Sequence, residues 1–177
     1  MKLNLGCGFK KLAHYVNVDN QASCEPDVVL DLENEKWPWP DHSVTEVVLD
    51  HVLEHLGETK AQYFHVIREL YRVCQNQAQI HVRVPHPNHD HFLNDCTHVR
   101  PITAAGLAMF SVQRNLDTIA NGGAESNLGL YLGVNFDFLD VKYVLEDRYM
   151  RAIESKSIGD EQMQDLLKSQ NNVCKEI

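Results

Sequence analysis

Five short apolar segments set the limits on what this chain can fold into. Lys2–Leu5, Tyr15–Asp19, Asp27–Asp31, Val44–Asp50 and Gln79–Pro85 are rich in β-branched residues and bounded by turn formers, so each reads as a strand. Most are apolar on consecutive rather than alternate positions, the pattern of strands covered on both faces of a mostly parallel sheet. A helix is expected from about Glu58 to Cys74, with Tyr63, Ile67, Leu70 and Cys74 on one stripe. Strands with helices between them define an α/β sheet. Only Phe9–His14 separates the first two strands, and only Asn20–Pro26 the second and third. Parallel crossovers usually need about a dozen residues. The first two crossovers are therefore short, and one side of the sheet is expected to be thinly covered, unless a polar C-terminal helix or a second subunit fills the gap.

Farther along, the spacing predicts a helix over Thr103–Arg114, strands over Leu128–Phe136 and Phe138–Glu146, and a polar helix over about Gly159–Ser169. The last residues, Asn-Asn-Val-Cys-Lys-Glu-Ile, would begin one more strand. At 177 residues with no linker, repeat or low-complexity tract, the chain reads as one domain, 1–177. Its apolar runs are too short for a membrane-spanning helix, and no basic segment precedes an apolar core at the N-terminus. The five cysteines (Cys7, Cys24, Cys74, Cys96, Cys174) are scattered and odd in number, so a disulfide framework is not expected and a reducing cytoplasm is the default. A net charge of −9 without a basic stripe argues against nucleic acid as the main partner.

The first strand runs into Gly6-Cys7-Gly8, a turn that exposes backbone N–H groups with no side chain in the way. A dinucleotide fingerprint would have a third glycine where Lys11 stands and an acid about twenty residues on. Here Asp19 follows much sooner, at the end of the next strand, so a nicotinamide-type site fits poorly. A lone GxG is also compatible with a turn that serves only the fold.

Five separated segments, LNLGCG, VNVD, DVVLDLEN, WPWPDHSVTEVVLDHVLEHL and a helix ending RELYRVCQ, together resemble the class I S-adenosylmethionine-dependent methyltransferases of the type 11-like group. The resemblance covers roughly Lys2–Thr103. It implies a Rossmann-like sheet with a C-terminal antiparallel hairpin, a cofactor half at about 1–85 and an acceptor-facing loop and hairpin at about 86–177. It also implies that Gly6, Cys7 and Gly8 pass beneath the methionine part of S-adenosylmethionine and that Asp19 accepts hydrogen bonds from both ribose hydroxyls. Asp31, with the Leu32 backbone beside it, would face the adenine amino group. Asp50, His51 and Val52 would line the sulfonium side. A carboxylate suits vicinal hydroxyls, and the C-terminal ends of strands are where open α/β sheets bind ligands. For Asp31 a plain surface acid is the competing reading. Many relatives have an acid where this chain has Asn4, which can still bond the cofactor's ammonium through its carbonyl.

Ten histidines is a high count, and His81, His86, His89, His91 and His98 fall between positions 81 and 98. His51-Val-Leu-Glu54-His55 matches the inverted zinc-protease pattern HxxEH, but a strand runs straight into His51 and Gly57 interrupts before the helix, so both histidines do not share one helical face. Pro85–Thr103 reads as a loop over the sheet edge, and Asp95-Cys96-Thr97-His98-Val99-Arg100 resembles the family's acceptor-wall segment, with cysteine in place of its usual proline. Three readings of its histidines stand side by side: base and substrate contacts, a metal site drawn from His86, His89, His91 and Asp95, or polar loop residues satisfied by neighbours. The base candidates are His86, His98 and His51, because imidazole titrates near neutral pH. The reading that results is a methyltransferase acting on a small molecule or glycan, with a sugar hydroxyl as a plausible acceptor and a homodimer suggested by the thin sheet face. A cofactor-binding or assembly module without catalysis, and a histidine-loop metal protein, are the alternatives.

Overall fold

The computed structural model describes residues Met1–Ile177. Strands β1 (Lys2–Leu5), β2 (Val16–Asp19), β3 (Val28–Val29), β4 (Val44–Asp50) and β5 (Cys74–Arg83) form one sheet in the order β3-β2-β1-β4-β5, with every pairing parallel. The register sets Leu3 between Val16 and Val47, and Leu5 between Val18 and Leu49. Leu3, Leu5, Val18, Val47 and Leu49 are all buried, which is why short strands suffice. The helix α1 (Lys60–Val73) turns Tyr63, Val66, Ile67, Leu70 and Val73 into the same core. Burying each such side chain contributes about 1.5–3 kcal/mol. A capping box starts it: Thr59 Oγ1 accepts from the Gln62 N–H while Gln62 Oε1 accepts from the Thr59 N–H.

No helix spans the first two crossovers. The β1–β2 link is a turn, the β2–β3 link a single 3₁₀ turn at Ala22–Cys24, and the longer β3–β4 link is also irregular. In that last loop Trp37 and Trp39 meet edge to face, 6.0 Å between centroids. Arg72 of α1 clamps it, donating to the Trp37 and Trp39 carbonyls, to Asp41 and to Glu69. Glu69 in turn accepts from the Trp37 N–H. The thin coverage expected from the crossover lengths is present. On the face opposite the core, Glu46 accepts from Tyr15 and pairs with Lys2 and His81, while Arg83 grips Asp50 through two bonds. A ladder of ion pairs occupies this face in place of covering helices.

After β5 come α2 (Asp90–Leu93), α3 (Ala104–Ala108), α4 (Val112–Ala120), α5 (Leu128–Leu132), β6 (Val144–Leu145), α6 (Asp147–Glu154), α7 (Asp160–Ser169) and β7 (Cys174–Glu176). No helix is long and apolar enough to cross a membrane. The antiparallel element expected near the C-terminus is a separate two-stranded sheet of β6 and β7, with two helices between its strands. Its residues differ from those expected. Leu128–Phe136 is not a strand: Leu128 and Leu132, one turn apart, pack into the core from α5, and Gly133 ends that helix in the left-handed region at φ 69°. Most of Phe138–Glu146 stays irregular, with Phe138, Leu139, Val141 and Tyr143 exposed and without a partner strand. The helix expected at Thr103–Arg114 is two helices, because buried Phe110 sits at a break and Ser111 caps α4 by accepting from the Arg114 N–H. The strand β7 also continues the main sheet's edge: Val84 and Ile177 exchange both backbone bonds, and the His86 N–H donates to Lys175.

Candidate functional site

The strand order reverses between β1 and β4, so a crevice opens at their C-terminal ends, where open α/β sheets take ligands. The glycine turn lines it. Gly6 has φ 63° and Gly8 φ 49°, a region that side chains disfavour. A Cβ on Gly6 would stand 2.6 Å from Val52 Cγ2, so the turn is packed against the chain leaving β4. A Cβ on Gly8 would meet nothing within 4 Å, so space lies open above it. The Gly8 N–H donates to Asp19 Oδ2 (2.8 Å), and Asp19 Oδ1 accepts from the Gln21 N–H (2.9 Å). Each carboxylate oxygen retains a lone pair for a further donor. Burial, then neighbouring Asp19, holds the Cys7 thiol above its ordinary pKa, so Cys7 is a protonated lining group.

Asn4 lies across from Asn17 in the β1–β2 register, and both are buried. The Asn4 amide donates to Asn17 Oδ1 and the Lys10 carbonyl, and Asn17 donates to Asp27. Asn4 therefore braces the glycine turn from below. Asp31 closes its own turn, accepting from the Glu33 N–H and the Asn34 amide, and these bonds lower its pKa. The Leu32 carbonyl accepts from the Trp37 indole. Asp50 sits at the end of β4 with its carboxylate on Arg83, which holds it below the usual carboxylate range.

The three base candidates are set differently. His51 has φ 57°, and its two ring nitrogens face Glu54 Oε1 and Glu176 Oε1, each at 3.2 Å. Glu54 chiefly, and then Glu176, raises its pKa against the effect of burial, which favours a doubly protonated ring. Burial, then His89, pushes His86 down, and its Nδ1 accepts from the Asn88 N–H (3.2 Å), leaving the proton on Nε2. His98 Nδ1 faces the Phe92 carbonyl at 2.9 Å, which accepts only, so the proton is on Nδ1 and the lone pair on Nε2. Of the remaining loop histidines, His89 is held structurally: it caps α2, accepting from the His91 N–H, and its Nε2 meets Glu146 at 3.0 Å.

His98 is drawn against the 3₁₀ turn Leu53–His55, because the Val99 and Arg100 N–H groups both donate to the Glu54 carbonyl. The His55 and His98 rings lie 4.6 Å apart. Glu54, His55 and His98 are the set that could share a metal ion, with one ligand atom from each within 4.8 Å of the others. The loop set of His86, His89, His91 and Asp95 does not gather in this way.

No protein-family model matches the chain, and no curated protein matches it in sequence. Among solved structures, a SAM dependent methyltransferase from Archaeoglobus fulgidus is similar, with a TM-score of 0.62 and 17% identity over 99% of this chain and 82% of that one. The YcgJ protein from Bacillus subtilis is similar at a TM-score of 0.51 and 14% identity, over 99% of this chain and 87% of that one. The likeness is one of fold: a mostly parallel, Rossmann-like α/β sheet shared with that methyltransferase.

Several residues that shape the crevice escaped the sequence reading. Asn17 could have been found, since LNLG and VNVD put asparagines at matching places in adjacent strands. Thr97, which joins His55 to Asp95, and Glu176, which reaches His51, gave no signal, because contacts between positions so far apart are set by the loop's path alone.

Proposed function

We propose that this protein is an S-adenosylmethionine-dependent methyltransferase acting on a hydroxyl of a small molecule or glycan. The observation that carries the reading is the glycine turn at the sheet's reversal point, open above Gly8 and tied by its amide to the Asp19 carboxylate. The likeness in fold to a SAM dependent methyltransferase supports it. When bound, the cofactor supplies a methyl already activated on a sulfonium, so the chain's work is alignment and exclusion of water. Gly6, Cys7 and Gly8 would run under the methionine part, Asp19 would receive the ribose hydroxyls, and Asp31 and Leu32 would border the adenine. A cleft of about 750 Å³ beside Arg100, lined by Tyr63, Phe64, Ile102, Phe110 and Tyr131 among others, gives an acceptor a partly apolar seat. In the metal-free protein, His98 Nε2 is the lone pair available to take a hydroxyl proton.

Calorimetric titration of S-adenosylmethionine and S-adenosylhomocysteine into the protein and its Asp19→Ala variant tests the reading. Binding that weakens at least tenfold in the variant is the expected result, and no binding at millimolar cofactor overturns it. A second reading, a cofactor-binding module without catalysis, is favoured by the engagement of Asn4 inside the fold, which leaves no acid for the cofactor's ammonium. Transfer of a labelled methyl group from cofactor to candidate polyols and phenols separates the two.

A further inference from the structure

We propose that Glu54, His55 and His98 form a binding site for a divalent first-row transition cation. The Glu54 side chain is 0% exposed; its Oε1 meets His51, and Oε2 has no hydrogen-bond partner. His51 meets only one oxygen of that carboxylate, and a buried acceptor such as Oε2 left without a donor or cation is costly. Both imidazoles are prepared as ligands. The Phe92 carbonyl fixes the His98 proton on Nδ1. Thr97 gives its own hydroxyl proton to Asp95 (2.6 Å), so at 3.0 Å it must accept from His55 Nδ1. In both rings the lone pair is thus on Nε2. Anchoring the far nitrogen on a carbonyl, or through a hydroxyl on a carboxylate, is how proteins orient metal-binding histidines.

Ligand atoms about 2.1 Å from one ion stand about 3–4 Å apart. The observed set, with its ligand atoms within 4.8 Å of one another, stands about 1 Å wider than that. Two imidazoles and one carboxylate select zinc, manganese, iron or cobalt over calcium and magnesium, which take all-oxygen sites. Three protein ligands leave coordination positions open. The site lies two residues past Val52, which touches the glycine turn, and beside the segment leading to the Arg100 cleft. If the methyltransferase reading holds, on which this use of the site rests, the open positions take an oxygen of the acceptor. His98 would then be a ligand rather than a proton acceptor: coordination would lower the hydroxyl's pKa, its proton would leave to solvent, and the oxygen would take the methyl as the carbon–sulfur bond breaks.

The test is titration of chelator-treated full-length protein with Co²⁺, followed by calorimetry and by visible absorption of the bound ion, and repeated with Zn²⁺, Mn²⁺ and Mg²⁺. The expected result is one Co²⁺ per chain, displaced by Zn²⁺, with Mg²⁺ at least tenfold weaker. His98→Ala and His55→Ala should each weaken Co²⁺ at least a hundredfold and remove its absorption bands, while His81→Ala, on the open sheet face, leaves both unchanged. Glu54→Gln, which removes the buried charge and keeps the shape, provides a third ligand variant, and circular dichroism confirms that each variant is folded. No Co²⁺ binding at millimolar concentration overturns the proposal, as does binding that survives both histidine substitutions. Cofactor titration of the same metal-free protein is read separately. Metal without cofactor binding removes the methyltransferase reading and keeps the site, whereas cofactor without metal binding does the reverse.

Discussion

The two glycines of the opening turn look alike in sequence and do different work. Gly6 meets two constraints, a left-handed φ and the side chain of Val52. Gly8 meets only the first. Gly6→Ala should therefore lower stability by about 3 kcal/mol or more, adding a steric clash to the backbone strain. Gly8→Ala should cost only about 1–2 kcal/mol, the strain alone. Its methyl group would nevertheless enter the space above the turn, so cofactor affinity should fall while the fold remains. Thermal melts paired with cofactor calorimetry on both variants check this, and a Gly8→Ala protein that binds normally would show that the space is not the cofactor's path. The same contrast shows what a sequence can tell. A glycine turn after a strand is legible because few residues tolerate it. Asn4 is not, because an amide that braces a loop and an amide that greets a ligand are the same letter.

Among the elements, α1 and β1 through β4 were legible because consecutive apolar positions and an apolar stripe at helical spacing are local signals. LGLYL was not, since four apolar residues and a glycine fit either period and only packing against Phe110 and Asn115 decides for a helix. The clamp that α1 places on the tryptophan loop leads to a pH-dependent prediction. Arg72 chiefly, then the Trp37 N–H, holds the Glu69 carboxyl below its ordinary value of 4.5 despite burial. A depressed folded-state pKa contributes stability that is fully present above the unfolded value and lost as pH falls through the folded one. Glu69→Gln should thus destabilise by about 1–3 kcal/mol at pH 7, leaving Arg72 and the Trp37 amide poorly paired. The gap to the wild type should narrow as pH drops below 4.5. Urea unfolding of both proteins from pH 7 to pH 3 measures it, and a gap independent of pH would mean that the charge of Glu69 is immaterial.

In the molecule as a whole, the apolar interior is divided. One cluster of 23 buried residues unites the sheet, α1 and the tryptophan loop, while Leu145, Met163, Val173 and Cys174 form a small separate cluster under α6 and α7. Regions with fewer buried contacts open at lower free energy. Native-state hydrogen exchange should therefore show the amides of α6 and α7 exchanging well before those of β1 and β4, and equal protection would show that the two clusters unfold as one. The thin face of the sheet was legible from crossover length, a covalent constraint. Its ion-pair ladder was less so, because Glu46, His81 and Arg83 come together only through strand pairing.

The C-terminal strand has a practical consequence. Ile177 is bonded on both sides to Val84, and Glu176 touches His51, so the last residues lie against the crevice. Met1, by contrast, donates its amino group to the Ser43 carbonyl just before β4 begins, at the other end of the parallel strands. An affinity tag fused after Ile177 would crowd the region whose ligands are in question, whereas one fused ahead of Met1 would emerge from the opposite edge. The end at which a purification handle is attached would thus decide whether any of these titrations reports on an undisturbed site.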